Sequence, residues 1–195
     1  MTAAADPDAF QIQIMEAAQH LADCHSLLVH CMSNHGHAAW LSLMKFTQWS
    51  NRLHAIIFDC GPSLRSRSTK EARSKAMYDT ALSACMSLNI RLDASQRKVI
   101  RRVLTDHWRW QTDEMIIEQV RMEPPVPTLC IGAVSDTLMP ISAVDHVANI
   151  LRLHNIDRPV YTVSMRGYHA ALLETSPYQY EREIAAFLVQ AQLRD

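Results

Sequence analysis

The stretch Ser26-Leu27-Leu28-Val29-His30-Cys31-Met32-Ser33-Asn34-His35-Gly36 decides how the rest of the chain is read. Its short, nearly continuous apolar run predicts a buried strand of a parallel sheet over His25–Cys31. Apolar residues then recur at helical spacing from Ala38-Ala39-Trp40-Leu41 onward, predicting a helix over His37–Ser50 with Trp40, Leu43, Met44 and Phe46 on one side. The order is strand, sharp turn, helix, with Ser33 at the turn. Such a turn exposes the serine hydroxyl above the sheet, next to a helix N-terminus that favours an oxyanion. As local structure alone, the same serine would be the N-cap of the helix.

Two later runs end in residues that complement a serine. Leu129-Cys130-Ile131-Gly132-Ala133-Val134-Ser135 leads to Asp136, and Val160-Tyr161-Thr162-Val163-Ser164 leads to Gly167-Tyr168-His169. Serine, aspartate and histidine in that chain order, each just past a strand, is the order of the α/β-hydrolase triad. Ser33 is then the candidate nucleophile and His169 the general base that takes its proton. Asp136 is the acid that holds the imidazole tautomer and steadies the imidazolium. Asn34, the residue after the nucleophile, supplies an oxyanion donor through its backbone amide. Plainer alternatives stand beside these: a loop histidine, one of ten in the chain, and a turn aspartate before Pro140. Asp59, at the end of the run Leu53–Asp59, is the substitute acid.

His30, Cys31, His35 and His37 invite a metal reading, but their spacing matches no common ligand pattern and no second Cys/His group closes a shell. No metal and no cofactor is expected. Trp108 and Trp110 suit lid-to-core packing or an acyl pocket. Arg97-Lys98 with Arg101-Arg102 reads as a solvated helix face.

The 195 residues suffice for one domain with a substantial core, and 48% hydrophobic against 20% charged is ordinary globular composition. A net charge of -1 gives no electrostatic reason to propose nucleic acid or an anionic membrane as partner. Five cysteines, an odd number without a CxxC pair, read as buried reduced thiols of a cytosolic protein. The N-terminal residues lack the pattern of a signal peptide, and no stretch of ~20 apolar residues is present to span a membrane.

Around the site, helices are predicted over Asp8–Cys24, with Asp6 as cap and Pro7 at the first position, and over Ile141–Leu153 and Pro177–Gln192, the last capped by Ser176. Strands are predicted over Leu53–Asp59, Thr128–Val134 and Val160–Ser164. Residues 64–123 carry helical spacing and no strand signal, the pattern of a helical lid inserted between two strands. Pro124-Pro125-Val126-Pro127 ends it. Strands alternating with helices predict a three-layer sandwich on a parallel sheet, a single domain over residues 1–195.

His30-Cys31-Met32-Ser33-Asn34-His35-Gly36 followed by Ile57-Phe58-Asp59-Cys60-Gly61-Pro62 resembles the eukaryotic family typified by transmembrane protein 53, which includes fungal indole-diterpene-cluster members. Ala133-Val134-Ser135-Asp136, Tyr168-His169-Ala170-Ala171-Leu172 and Pro177-Tyr178-Gln179-Tyr180 continue the family's ordered motifs over roughly residues 15–190. The resemblance implies an α/β-hydrolase fold and a serine hydrolase of esterase type acting on a small ester-like molecule. The alternative it implies is a non-enzymatic hydrolase-fold protein that works through contacts, at the nuclear envelope or in signalling. His35 stands where the family has a small residue, and Leu172 where it has a second histidine. A full member would carry several more strands upstream, so the chain is expected to be an N-terminally truncated piece with weak or absent hydrolysis.

Overall fold

A computed structural model describes residues 7–44, 51–61, 78, 91–107, 121, 125–136 and 139–192. The four apolar runs form strands β1 (Leu27–Met32), β2 (Leu53–Asp59), β3 (Thr128–Ala133) and β4 (Val160–Met165). They pair in the order β1-β2-β3-β4, all parallel. Parallel pairing is what crossover segments between successive strands impose. β3 is buried along its whole length, as a central strand covered on both faces must be. All four strands end at one edge, at Met32, Asp59, Ala133 and Met165.

Among the described residues the helices are α1 (Pro7–Leu21), α2 (Ser33–Met44), α3 (Ala94–His107), α4 (Ile141–His154), α5 (Leu172–Thr175) and α6 (Pro177–Gln192). α2 and α4 cover one face of the sheet, packing Trp40, Val144, Val147 and Leu151 on Cys31, Ile56, Phe58 and Cys130. On the other face α6 packs Tyr180 and Phe187 on Ile57, Leu129, Ile131 and Met165. Each large apolar side chain buried this way contributes about 1.5–3 kcal/mol. Gly132 brings α4 down onto β3: a Cβ there would stand 2.7 Å from Ile141 Cδ1 and 3.1 Å from Val144 Cγ2. Arg158, buried beneath the sheet's other end, donates from Nε to Thr128 Oγ1 at 2.7 Å.

Several boundaries differ from expectation for local reasons. α2 begins at Ser33 rather than His37. Ser-Asn-His-Gly has poor helix propensity, so no periodicity announces the first turn, and packing against β1 decides it. α1 ends at Leu21 rather than Cys24, where the Arg52 guanidinium donates to the carbonyls of Ala22 at 2.6 Å and Cys24 at 2.9 Å. β1 runs Leu27–Met32 rather than His25–Cys31. Ser176 holds the N-cap position of α6, its carbonyl accepting from Tyr180 N–H at 2.9 Å, while its hydroxyl donates to the Arg166 carbonyl at 2.7 Å.

α3 opens on a reciprocal capping box: Gln96 N–H donates to Asp93 Oδ1 at 2.8 Å, and Asp93 N–H donates to Gln96 Oε1 at 3.0 Å. Its basic residues Arg97, Lys98, Arg101 and Arg102 are exposed, and Arg101 lies 4.7 Å over the Tyr78 ring. The rest of the expected insertion over 64–123, with Trp108 and Trp110, lies outside the described residues, as does the Asp6 cap. Cys24, Cys31, Cys60 and Cys130 are free thiols. No described helix is long and apolar enough to cross a membrane.

Candidate active site

β1 passes into α2 through Ser33, whose backbone stands at φ 60°. A serine in the left-handed region costs on the order of 1–3 kcal/mol, so packing must hold it there. Cys31 is buried below the turn, and Gly36 lets the first turn of α2 rest on it: a Cβ at Gly36 would lie 3.1 Å from the Cys31 backbone. A close approach of α2 to β1 is thus made at Gly36, three past the serine. Asn34 sits in the first turn of α2, where backbone amides have no intrahelical acceptor and are free to face an anion.

Asp136 follows β3 and is buried. Its Oδ1 accepts the Met139 amide at 2.8 Å, which orients the carboxylate. Its Oδ2 accepts His169 Nδ1–H at 2.6 Å. His169 follows β4 on a loop shaped by Gly167 at φ 152° and Ala170 at φ 49°. Any side chain at Gly167 would run into Thr175 and Leu172. The loop is tied back by Ser135 N–H donating to the Gly167 carbonyl at 3.3 Å. His169 Nε2 lies 2.9 Å from Ser33 Oγ. A carboxylate can only accept, so Nδ1 carries the proton and Nε2 accepts the serine O–H. Ser33, Asp136 and His169, widely separated in sequence, thus form one hydrogen-bonded line at the C-terminal edge of the sheet.

A second polar group stands beside it. Tyr180, in the first turn of α6, donates its hydroxyl to Asp59 Oδ2 at 2.5 Å, and His30 Nε2 lies 3.1 Å from the same hydroxyl and 3.7 Å from that carboxylate oxygen. Burial pushes the Asp59 carboxyl up, but the nearby His30, the hydrogen bond from Tyr180 and the adjacent Cys60 thiol outweigh this and hold it below its ordinary value. Burial and the Asp59 charge push the Tyr180 hydroxyl far above its ordinary value. Asp59 is thus committed to Tyr180 and His30, while Asp136 holds the imidazole. The sequence marks this group only faintly, by the closing Pro177-Tyr178-Gln179-Tyr180.

Cys31 is buried in the core, and His37 is buried edge-on to Phe58 at 5.4 Å. Neither joins His30 in a ligand shell. Cys60 Sγ, an Asp136 oxygen and a His169 nitrogen do gather within 4.8 Å of one another. Both ring nitrogens of His169 are already engaged by Ser33 and Asp136, so a metal would have to break the hydrogen-bonded line. A cavity of about 270 Å³ lined by Leu53, Val126, Pro127 and Pro159 lies at the opposite, N-terminal ends of the strands.

No family model matches the chain, and no curated protein does. Solved structures do. An esterase from Pyrococcus furiosus superposes with a TM-score of 0.60 at 12% identity, covering 92% of this chain and 61% of that one. An alpha/beta hydrolase from a Medee basin deep-sea metagenome library gives 0.56 at 13% identity, over 91% and 70% of the two chains. A structure from work on carboxylesterases of the ammonia-oxidizing thaumarchaeon Nitrososphaera gargenis gives 0.56 at 11% identity, over 95% and 74%. The fold is α/β-hydrolase-like. The chain spans about three fifths of the length of the Pyrococcus furiosus esterase. In an α/β-hydrolase sheet the serine of a strained strand-to-helix elbow stands exposed at the top, and the acid and histidine follow it in the chain. Ser33, Asp136 and His169 occupy that arrangement.

Proposed function

We propose that the protein is a serine hydrolase of esterase type. The observation that carries this is the unbroken line from Ser33 Oγ to His169 Nε2 at 2.9 Å and from His169 Nδ1 to Asp136 Oδ2 at 2.6 Å. Ser33 Oγ attacks an acyl carbonyl carbon while His169 Nε2 takes the hydroxyl proton, and Asp136 steadies the imidazolium. The oxyanion faces the Asn34 amide at the N-terminus of α2. Collapse expels the alcohol, which leaves with the proton from Nε2. Water, deprotonated by His169, then attacks the acyl-serine; the acid departs and Ser33 recovers its proton. Each oxyanion donor of such a site is worth ~3 kcal/mol of barrier.

The ordered motifs around Ser33, Asp59, Asp136, His169 and Tyr180 support a relationship to the transmembrane protein 53 family, which we propose on that ground. The esterase and carboxylesterase neighbours support a small carboxylic ester as substrate. The test is hydrolysis of 4-nitrophenyl esters of increasing acyl length. Turnover that falls to background in both Ser33→Ala and His169→Ala is expected. Turnover unchanged in those variants, or none with any ester, contradicts the assignment.

A further inference from the structure

The triad chemistry leaves Cys60 unused, yet this side chain is fully enclosed beside it. Its backbone stands in the left-handed region at φ 50°, while its N–H donates to the Ile131 carbonyl at 2.9 Å and continues the β2–β3 ladder. A non-glycine residue kept in this region needs contacts that oppose the strain. Those contacts reach the loops of the acid and the base. Cys60 Sγ lies within 4.8 Å of an Asp136 oxygen and a His169 nitrogen. The sulfur also stands near the backbone amide of Ala170, the residue after His169, and Ala170 is itself held at φ 49°. On its other side the thiol meets the Asp59 carboxylate, which Tyr180 anchors at 2.5 Å.

Burial, reinforced by the negative charge of Asp59, keeps the sulfur protonated. A protonated thiol has one hydrogen to give and lone pairs to accept with. Here it stands between the Asp59 carboxylate and the Ala170 amide, so a thiol at this place joins the end of β2 to the histidine loop. We propose that Cys60 is a positioning residue: its thiol links the Tyr180–Asp59 pair to the loop of His169 and fixes where the imidazole stands over Ser33. Its kinetic consequence rests on the serine-hydrolase function proposed above; its structural consequence does not.

The experiment compares the wild-type chain with Cys60→Ala, Cys60→Ser and Tyr180→Phe. It reads the far-downfield proton resonance of His169 Nδ1–H, the rate of phosphonylation by a fluorophosphonate probe, and the urea midpoint. Cys60→Ala should shift or broaden the resonance and slow labelling by roughly 10- to 100-fold, the scale on which a misplacement of about 1 Å acts. Cys60→Ser, which keeps a donor and an acceptor, should restore the resonance and most of the rate. Tyr180→Phe should move the resonance in the same direction as Cys60→Ala. If Cys60→Ala does not fold, the other two variants decide. An unchanged resonance in Cys60→Ala, or a Cys60→Ser variant as impaired as Cys60→Ala, overturns the proposal. A wild type that resists labelling sinks the hydrolase function, and the resonance then decides the positioning role by itself.

Discussion

Ser33 carries backbone strain at φ 60°. Alanine keeps the side-chain clash at φ 60°, whereas glycine removes it. Ser33→Gly should therefore be more stable than Ser33→Ala by about 1 kcal/mol, the low end of the cost of such a conformation after glycine's entropy is counted. Urea denaturation of the two variants measures this, and equal midpoints would mean the turn is not strained. Asp59 gives a second residue-level expectation. Burial raises its carboxyl, but Tyr180, His30 and Cys60 around it lower it further than burial raises it, so the folded value lies below the ordinary 3.8. Between those two values the unfolded chain binds more protons than the native one, and stability rises with pH. The contribution is complete above pH ~4 and is lost as pH falls through the folded value. Asp59→Asn should flatten that acid limb of the stability curve, and a limb of unchanged slope would count against the Tyr180–Asp59 pairing.

At the scale of elements, the close approach of α2 to β1 is what makes the strand-to-helix connection a tight turn at Ser33. The atoms that a Cβ at Gly36 would meet are backbone atoms of Cys31, which cannot rotate away. Gly36→Ala should lift the first turn of α2, costing about 1–3 kcal/mol of stability and slowing reaction at Ser33 as well. Chemical denaturation with probe-labelling kinetics checks both; full labelling speed would show that the turn does not depend on this contact. β3 gives an alkaline counterpart. Burial pushes the Cys130 thiol from 9.0 up to about 12. From pH ~9 upward the unfolded chain has lost a proton that the native chain keeps, so stability declines across that window. Cys130→Ala should show a shallower decline than wild type when melting is followed from pH 8 to 11 (about one pH unit below and two above the ordinary thiol value). The strands were legible because parallel, doubly covered strands are continuous apolar runs, as Ile56–Phe58 and Leu129–Ile131 are. The start of α2 was not, because Asn34-His35-Gly36 carries no helical signal and tertiary packing sets it.

Over the whole molecule, three residue types in a fixed order past three strands were enough to point to one end of one sheet. The sequence could not show that Asp59 faces Tyr180 and His30 while Asp136 faces His169, because both acids follow strands and strand position alone does not say which loop folds over which. The hydrogen bonds settle it, with His169 Nδ1 at 2.6 Å from Asp136 Oδ2 and the Tyr180 hydroxyl on Asp59 Oδ2. Nor could the sequence show Cys60 between the two acids, since a cysteine after a buried strand ordinarily reads as core. The central claim is that Ser33 is a nucleophile activated by His169, and it is tested most directly by a fluorophosphonate probe on the purified chain, with the adduct located by peptide mass spectrometry. The account predicts one adduct, on Ser33, absent in Ser33→Ala and strongly slowed in His169→Ala. No adduct, or one that persists in Ser33→Ala, would contradict it.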